Sequence, residues 1–338
     1  MSHSQLFEEG RLPWYSADQF YPVHLGEVFI SKYKVVGKLG YGAHSTVWLF
    51  RDIKDSGFVA LKVCTRNEHG SSSNDRELKF YEHVISLNSQ HHGQEYIRGL
   101  LDTFETSGPT GQHLCLVQPP MHMTIQELQR QNVSKRLNKQ LLNWTLFNLL
   151  SALSFLHDEL NLIHTDINPS NIMLTVDDES LLSDFEQAEI EEPSPTEAID
   201  TTRTIYGSRK LGLPKNLLWG RPVLCDFGEA QIGQTHRGLI QPDLYRAPEM
   251  VGYIGIPPLE YLRRSEVTKN VFDEQGHLKA VGGVAVPEMP LERAEIALEG
   301  EEKRRFLVSV RSMLRWLPEE RRRAVDLLAD PWMEGAIP

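Results

Sequence analysis

Cysteine is scarce in this 338-residue chain, and Cys64, Cys115 and Cys225 stand far apart with no CxxC pair. A disulfide framework or a cysteine zinc site is not expected, and a reducing compartment is. Positive charge is also short: 35 Lys and Arg stand against 46 Asp and Glu, a formal net charge of -11. Direct nucleic-acid binding is therefore not expected, because counterion release needs clustered cations. Long apolar runs are missing too. The most apolar stretch, Leu141 to Leu156, is interrupted by Asn143, Thr145, Asn148, Ser151 and Ser154, so it reads as a core helix and not as a bilayer span. Met1 to Gly10 has neither the basic start nor the apolar stretch of a signal peptide, and secretion is not expected. What is present, 40% hydrophobic and 24% charged residues, is a soluble globular profile with length for one two-lobed domain or two medium ones.

The first third reads as β structure. Tyr33 to Leu39, Ser45 to Phe50 and Phe58 to Val63 are rich in β-branched and aromatic residues and are separated by short turns, which predicts three antiparallel strands. Asn74 to Ser86 follows with Leu78, Tyr81, Val84 and Ile85 at helical spacing and Asn74 or Asp75 as N-cap. Leu114 to Val117 predicts a short buried strand, ended by Pro119 and Pro120 in a linker. Beyond it the chain turns helical, with Lys139 to His157, Glu302 to Trp316 and Glu319 to Leu328 as the periodic segments. Residues 186–220 form an acidic, Pro- and Thr-bearing insertion read as a surface loop with some helix. No internal repeat is present.

Several short constellations carry chemistry. Gly40-Tyr-Gly-Ala-His-Ser-Thr-Val47 joins two strands, and glycines allow a backbone to approach a phosphate closely, although such hairpins favour glycine anyway. Lys62 ends the apolar strand Val59-Ala-Leu-Lys62, where an ammonium can face phosphates or reach water, and Glu77 in the next helix can pair with it. In His164-Thr-Asp-Ile-Asn-Pro-Ser-Asn171, Asp166 can accept a hydroxyl proton and Asn171 can offer an oxygen to a hard cation. Val223-Leu-Cys-Asp226-Phe-Gly228 puts a carboxylate after a short apolar strand, and Tyr245-Arg-Ala-Pro-Glu249 follows.

In order and spacing these elements resemble the protein-kinase signature set. The closer resemblance is to the SR-protein kinases, in particular short fungal-type members. It rests on Tyr21-Pro-Val-His-Leu-Gly26, Ser45-Thr-Val-Trp48, His164-Thr-Asp166, Ile240-Gln-Pro-Asp-Leu-Tyr-Arg246, Met313 to Arg321 and Asp330-Pro-Trp332. The resemblance implies a two-lobed α+β fold: an N-terminal extension at 1–32, a β-rich lobe at 33–118 and a mainly α lobe at 119–338. It implies ATP and magnesium as cofactors. Leu39, Gly40, Tyr41, Gly42, Ala43, His44, Ser45, Thr46, Val47 and Ala60 would enclose the nucleotide, with the Pro119 carbonyl and Met121 amide facing adenine. Lys62, positioned by Glu77, would hold phosphates, Asn171 and Asp226 would hold magnesium, and Asp166 would deprotonate the substrate hydroxyl. Glu249 would pair with Arg321. Asp184, in Ser183-Asp184-Phe185-Glu186, competes for the metal role, but no glycine follows it and Asp226 is preferred. The implied substrates are basic Arg/Ser-rich, splicing-factor-like proteins, met in cytoplasm and nucleus; no direct nucleic-acid or membrane partner is expected, and the oligomeric state is left open, with a monomer as the default.

Two departures from the pattern bear on activity. Asn168 stands in the catalytic loop where the family has lysine. After Glu249, Met250 to Pro258 runs directly into Leu259 to Arg264; roughly fifty residues are missing relative to the family pattern, and the glycines and prolines there forbid a long helix as replacement. The second lobe is thus expected to lack its central long helix. The alternative function is an impaired pseudokinase serving as an ATP-binding or protein-binding module.

Overall fold

The computed structural model describes residues 7–66, 73–215, 219–233, 247–264, 268–277, 279 and 289–334, with 247–250 and 270 described through their backbone only. The first lobe is built on six antiparallel strands: β1 (Val28–Phe29), β2 (Tyr33–Gly42), β3 (Ser45–Asp52), β4 (Phe58–Cys64), β5 (Asp102–Gly108) and β6 (Gly111–Gln118), in the order β1-β2-β3-β4-β6-β5. The period of two decides which face each side chain serves. Val59, Leu61 and Val63 of β4 join Tyr33, Val35, Trp48 and Phe50 in a buried cluster, so Ala60 and Lys62 are turned to the opposite face. The sequence reading lacked β5, whose run Asp-Thr-Phe-Glu-Thr-Ser-Gly holds one large apolar residue because it is an edge strand. The expected strand at Leu114 to Val117 is the centre of the longer β6.

Helix α1 (Ser73–Leu87) buries Tyr81 and Val84 as its spacing requires, but it adds Phe80 to that face, leaves Leu78 half-buried and exposes Ile85. The proposed N-caps Asn74 and Asp75 both lie inside it, and the Asn74 side-chain amide instead donates to the His44 carbonyl at 3.3 Å. The two prolines end β6, and strand β7 (Met121–Thr124) starts at once, already paired with the second lobe. Helix α2 (Ile125–Gln131) follows, opened by a capping box between Thr124 and Glu127.

The second lobe begins on α3 (Lys139–Ser154), N-capped by the Asn138 side chain. Then come β8 (Leu162–Ile163), β9 (Ile172–Thr175), α4 (Ser180–Glu191), the hairpin β10 (Thr196–Ala198) and β11 (Thr204–Tyr206), β12 (Pro222–Leu224) and β13 (Gln231–Ile232). A three-stranded sheet β12-β9-β7 and the pair β13-β8 carry the loops of interest. One buried cluster crosses between lobes, joining Phe80, Tyr81 and Val84 of α1 to Phe155, Leu156, Leu162, Ile172, Leu174, Leu224 and Phe227.

The insertion is not the surface loop expected from its composition. It starts six residues earlier, as α4, and Leu182, Phe185 and Leu211 are buried against Leu49, with Val36, Leu39 and Phe58 of the first lobe packed alongside. Gly37 admits this contact: a Cβ there would stand 2.7 Å from the Phe185 ring. The acidic residues that suggested solvent are in part buried too. Glu189 bonds Arg209 and Ser194.

After β13, the described helices are short: α5 (Ala247–Ile254), α6 (Leu259–Arg263), α7 (Thr268–Val271) and α8 (Leu291–Ala294). Among the described residues no long central helix is present, as Gly255, Pro257 and Pro258 dictate. Helix α9 (Gly300–Met313) and α10 (Ala324–Leu328) return to α3 through Phe306, Leu327 and Trp332. The expected helix over Glu319 to Leu328 is split: Pro318–Glu320 is one 3₁₀ turn, and Arg321 to Arg323 separate it from α10. No described helix is long and apolar enough to cross a membrane.

Candidate active site

The cleft between the lobes gathers most of the residues singled out from the sequence. In β3 and β4, Val47 lies opposite Lys62, and the Lys62 ammonium reaches Glu77 Oε2 at 2.5 Å and Asp226 Oδ1 at 3.8 Å. Three separate segments, β4, α1 and the turn after β12, thus meet at one cation. Burial works to lower the Lys62 pKa, but the carboxylates of Glu77 and Asp226 outweigh it and hold it above the usual lysine value. Lys62 therefore stays charged although its side chain is largely buried.

Asp226 has φ 62°, a left-handed backbone that turns its carboxylate out of β12, and its side chain is about half exposed. Phe227 does the opposite. Its ring is fully buried, stacked on Phe80 at 3.7 Å and tilted against His164 at 5.0 Å. The turn is further tied to α1, because Arg76 donates to the Gly228 carbonyl at 2.7 Å and pairs with Glu229 at 2.6 Å. Gly228 suits this close approach, since a Cβ would collide with the Ser73 hydroxyl at 2.1 Å.

Opposite lies the loop 164–171. Asn171 donates to the Asp166 carboxylate at 2.8 Å and to its carbonyl at 2.9 Å, while Asn168 donates to the same two groups at 3.1 and 3.2 Å. Asp166 is held between two amides, with no cation in the Asn168 position. The loop joins β12 by the bond from the Cys225 amide to the Asn171 carbonyl, 2.8 Å. His164 completes the clamp: its ring nitrogens reach the Cys225 carbonyl at 3.1 Å and the Asp166 amide at 3.3 Å. Thr165, also at positive φ, donates to the Glu229 carbonyl at 2.7 Å.

Gly40 and Gly42 lie in β2, and the two-residue turn is Ala43 and His44, with Gly42 opposite Ser45. A Cβ on either glycine would meet nothing within 4 Å, so no protein packing demands them and the room they leave is open for a ligand. The hairpin tip is fixed at its far end, where the His44 carbonyl accepts from the Thr65 amide at 2.9 Å and from Asn74. This space, Lys62 beside it, and the oxygen donors Asn171 and Asp226 fit a magnesium-bound triphosphate. No group of three or more His, Cys, Asp or Glu that could hold a metal occurs among the described residues. Two protein ligands would leave the rest of an octahedral magnesium shell to phosphate oxygens and water.

Asp184 does not join the cleft; it sits on α4, half exposed, paired with Lys215 at 2.6 Å. Ile240 to Arg246 lie outside the described residues, as does the Glu249 side chain, and with it the expected pair to Arg321. Arg321 donates to the Arg315 carbonyl at 2.7 Å. Sequence reasoning missed Arg76, Arg98 and Lys38. Arg98 donates to the Pro119 carbonyl at 2.9 and 3.3 Å. Lys38, fully buried at the root of the glycine hairpin, bonds Glu9 and the Tyr206 carbonyl. It also missed the strap 209–212, where the Arg209 amide donates to the Lys38 carbonyl at 2.9 Å and His122 meets the Gly212 carbonyl at 2.7 Å. A charged residue on a helix or strand carries no local mark of its partner, so only the adjacency of Arg76 to Glu77 offered a signal.

Comparisons with known proteins bear on the family and the fold. The protein kinase domain family matches residues 33–210. A serine/threonine protein kinase of Aspergillus fumigatus is 36% identical over 374 positions, covering 96% of this chain and 90% of the relative. That alignment is longer than the 338-residue chain, so at least 36 of its positions have no residue here. Protein kinase dsk1 of Schizosaccharomyces pombe is 31% identical over 56% of this chain and 35% of its own length, and mouse SRSF protein kinase 3 is 36% identical over 48% and 29%. A crystal structure of a kinase domain superposes with TM-score 0.67 at 18% identity, covering 93% of this chain and 98% of that one.

Proposed function

This chain belongs to the protein kinase family, and from that premise we propose that its cleft binds magnesium ATP and directs the γ-phosphate to serines in basic, Arg/Ser-rich proteins. The observation that carries the reading is the convergence of Lys62, Glu77 and Asp226 at one point while Asn171 holds the Asp166 carboxylate. In this reading Lys62 holds phosphate oxygens and Glu77 fixes its ammonium. Asp226 and Asn171 hold magnesium, which neutralises phosphate charge when bound. Asp166 orients the substrate hydroxyl and takes its proton, its carboxylate already aimed by Asn171. The substrate class is supported by the likeness to SRSF protein kinase 3 and dsk1 and by the net charge of -11, which favours cationic peptides. Work in cytoplasm and nucleus is part of the same proposal.

A second reading, a nucleotide-binding pseudokinase, is favoured by the amide of Asn168 beside Asp166 and by the short helices that follow Glu249. Removal of one transition-state stabiliser costs on the order of a hundredfold in rate. Radiolabel transfer from ATP to an Arg-Ser repeat peptide, with Asp166→Ala as control, separates the two. Transfer above that control supports the kinase; magnesium-dependent ATP binding without transfer supports the pseudokinase.

A further inference from the structure

Lys38 is a buried cation that the chemistry of the cleft does not use. It lies in β2 two residues before Gly40, and the register of β2 on β3 slips on either side of it, between Val35 and Gly37 and again between Lys38 and Gly40. Such irregularities bend a strand and re-aim its side chains. Val36 and Leu39, at the two slips, pack with Phe185 and Leu211 of the insertion. The Lys38 ammonium has no surface open to solvent; it bonds the Glu9 carboxylate and the Tyr206 carbonyl, the latter at 3.0 Å, and stands 3.7 Å from Glu8. The Glu8 carboxylate in turn accepts from the Ser208 hydroxyl at 2.6 Å, and the Lys38 carbonyl accepts from the Arg209 amide at 2.9 Å. Two segments foreign to the sheet, the 3₁₀ turn Glu8–Arg11 and residues 204–209, thus meet at one side chain. The turn opens with Glu8 at φ 48°, a left-handed backbone that costs a residue with a side chain, so the arrangement is held against local strain.

Taking an ammonium out of water is costly even when it is paired, and an apolar side chain of like size often stabilises as much, so stability alone does not call for a lysine here. What the pairing supplies is a fixed place for the strand. The glycine hairpin needs one. A Cβ on Gly40 or Gly42 would meet nothing, so no packing holds the hairpin there, and its place is decided at the tip, where His44 is tied to Thr65 and Asn74, and at the root, at Lys38. We propose that Lys38 is a positioning residue: through it the N-terminal turn and the segment 204–209 hold the root of the glycine hairpin and set how closely its backbone approaches the phosphates of the nucleotide. Lys38 itself is closed to solvent and touches no ligand. The inference rests on the nucleotide reading given above and adds to it a control exerted from outside the sheet.

Magnesium ATP and adenosine are the paired probes, because the glycine backbone faces phosphates and adenosine has none. Hydrogen exchange on the whole wild-type chain should show the amides of residues 8–12 and 204–209 slowed by magnesium ATP and not by adenosine at equal saturation, since coupling between two sites acts in both directions. Lys38→Met combined with Glu9→Gln removes both members of the buried pair at once, so neither charge is stranded. In calorimetry that variant should bind magnesium ATP about tenfold more weakly, the order of one charged hydrogen bond, and adenosine within about twofold of wild type. Exchange of residues 40–44 should quicken while that of β6 stays as it was. Phe104→Ala, which takes an apolar partner of the same cluster from the edge strand β5, is the control: it should lower the melting temperature and leave the ratio of the two affinities alone. An unchanged ratio in the folded double variant would overturn the inference and leave Lys38 as a brace of the fold. So would remote protection in wild type by both ligands or by neither, whether or not any variant folds. Failure of a folded wild type to bind magnesium ATP would remove the nucleotide reading and this inference with it, whereas binding without the remote protection would remove this inference alone.

Discussion

The sheet of the first lobe and the segment from Val251 to Glu299 are made from the same kinds of residue, yet among the described residues only the sheet has a core. In the sheet, Phe29, Tyr33, Val35, Trp48, Phe50, Leu61 and Val117 are all buried in one cluster. In the segment, the buried described residues are Pro257, Phe272, Gly276 and Leu291, while Tyr253, Ile256, Leu259, Met289 and Ile296 are exposed. A groove of about 770 Å³ opens between α5, α8 and α9, lined by Val251, Ile254, Pro290 and Leu314 among others. The difference follows from what each region packs against. Strands of the sheet satisfy one another, whereas the described helices from α5 to α8 are short and interrupted by Gly255, Pro257 and Pro258, so their apolar residues do not meet in a common core. Lys62 stands on that sheet, and Glu77, Asp166, Asn171 and Asp226 stand around the buried cluster that joins the lobes; none lies in the segment. The lesson is that the chemistry of the cleft and the platform under it are separable in this chain.

Supplying a partner for these helices is the strongest way to break that contrast. Grafting a long apolar helix between α5 and α6 should bury their exposed residues and raise phosphotransfer by about a hundredfold or more, since small misplacements of a substrate cost that much. Initial rates on an Arg-Ser peptide would measure it. Equal rates with and without the graft would mean that the present chain has already compensated.

The Lys62–Glu77 pair tests the intact side. Glu77 is nearly inaccessible, so Lys62→Met strands a buried carboxylate and should cost about 3 kcal/mol of stability together with at least tenfold in ATP affinity. Adding Glu77→Gln should return most of the stability and none of the affinity. Recovery of both would show that Lys62 is structural only. Denaturant unfolding and calorimetry read the two quantities independently. Asn168→Lys is the milder counterpart on the catalytic loop: placing an ammonium beside Asp166 should raise turnover by about tenfold and leave ATP affinity within twofold. A loss of turnover would mean that the amide bonds from Asn168 to Asp166 matter more than the missing charge.

How much of this was legible beforehand divides along the same line. Strands β2 to β4, α1 and α3 announced themselves because alternation and three-to-four spacing are local properties of sequence. The cleft residues were legible because Gly40, Lys62, Asp166, Asn171 and Asp226 occur in a fixed order. The insertion was misread because acidity was taken as exposure, whereas Glu189 is buried against Arg209 and Ser194 and Phe185 fits over Gly37. Partners such as Arg76 with Gly228, Arg98 with Pro119 and Lys38 with Glu9 are more than twenty residues apart. No pattern in the chain encodes such meetings; the fold creates them.

Acid should produce the smallest effect, and it should act on the intact side first. His113, His157 and His164 all have pKa values lowered, in each case chiefly by burial. His164 is the informative one. With its Nε2–H donating to the Cys225 carbonyl, its Nδ1 must be unprotonated to accept from the Asp166 amide. Burial outweighs the Cys225 carbonyl and the nearby carboxylates of Asp226, Asp166 and Glu77, which favour the charged ring. Because the folded pKa lies below the unfolded value of about 6.5, the unfolded chain binds more protons between the two, and the stability present above that pH is lost as pH falls. Melting temperature should drop by a few degrees between about pH 7 and pH 5.5, and ATP binding should weaken over the same window as the protonated ring gives up the Asp166 amide. His164→Gln, which offers an amide donor to Cys225 but does not titrate, should flatten part of the slope. A melting temperature that rises on acidification would assign these rings charged partners in the folded state and reverse the sign of the argument.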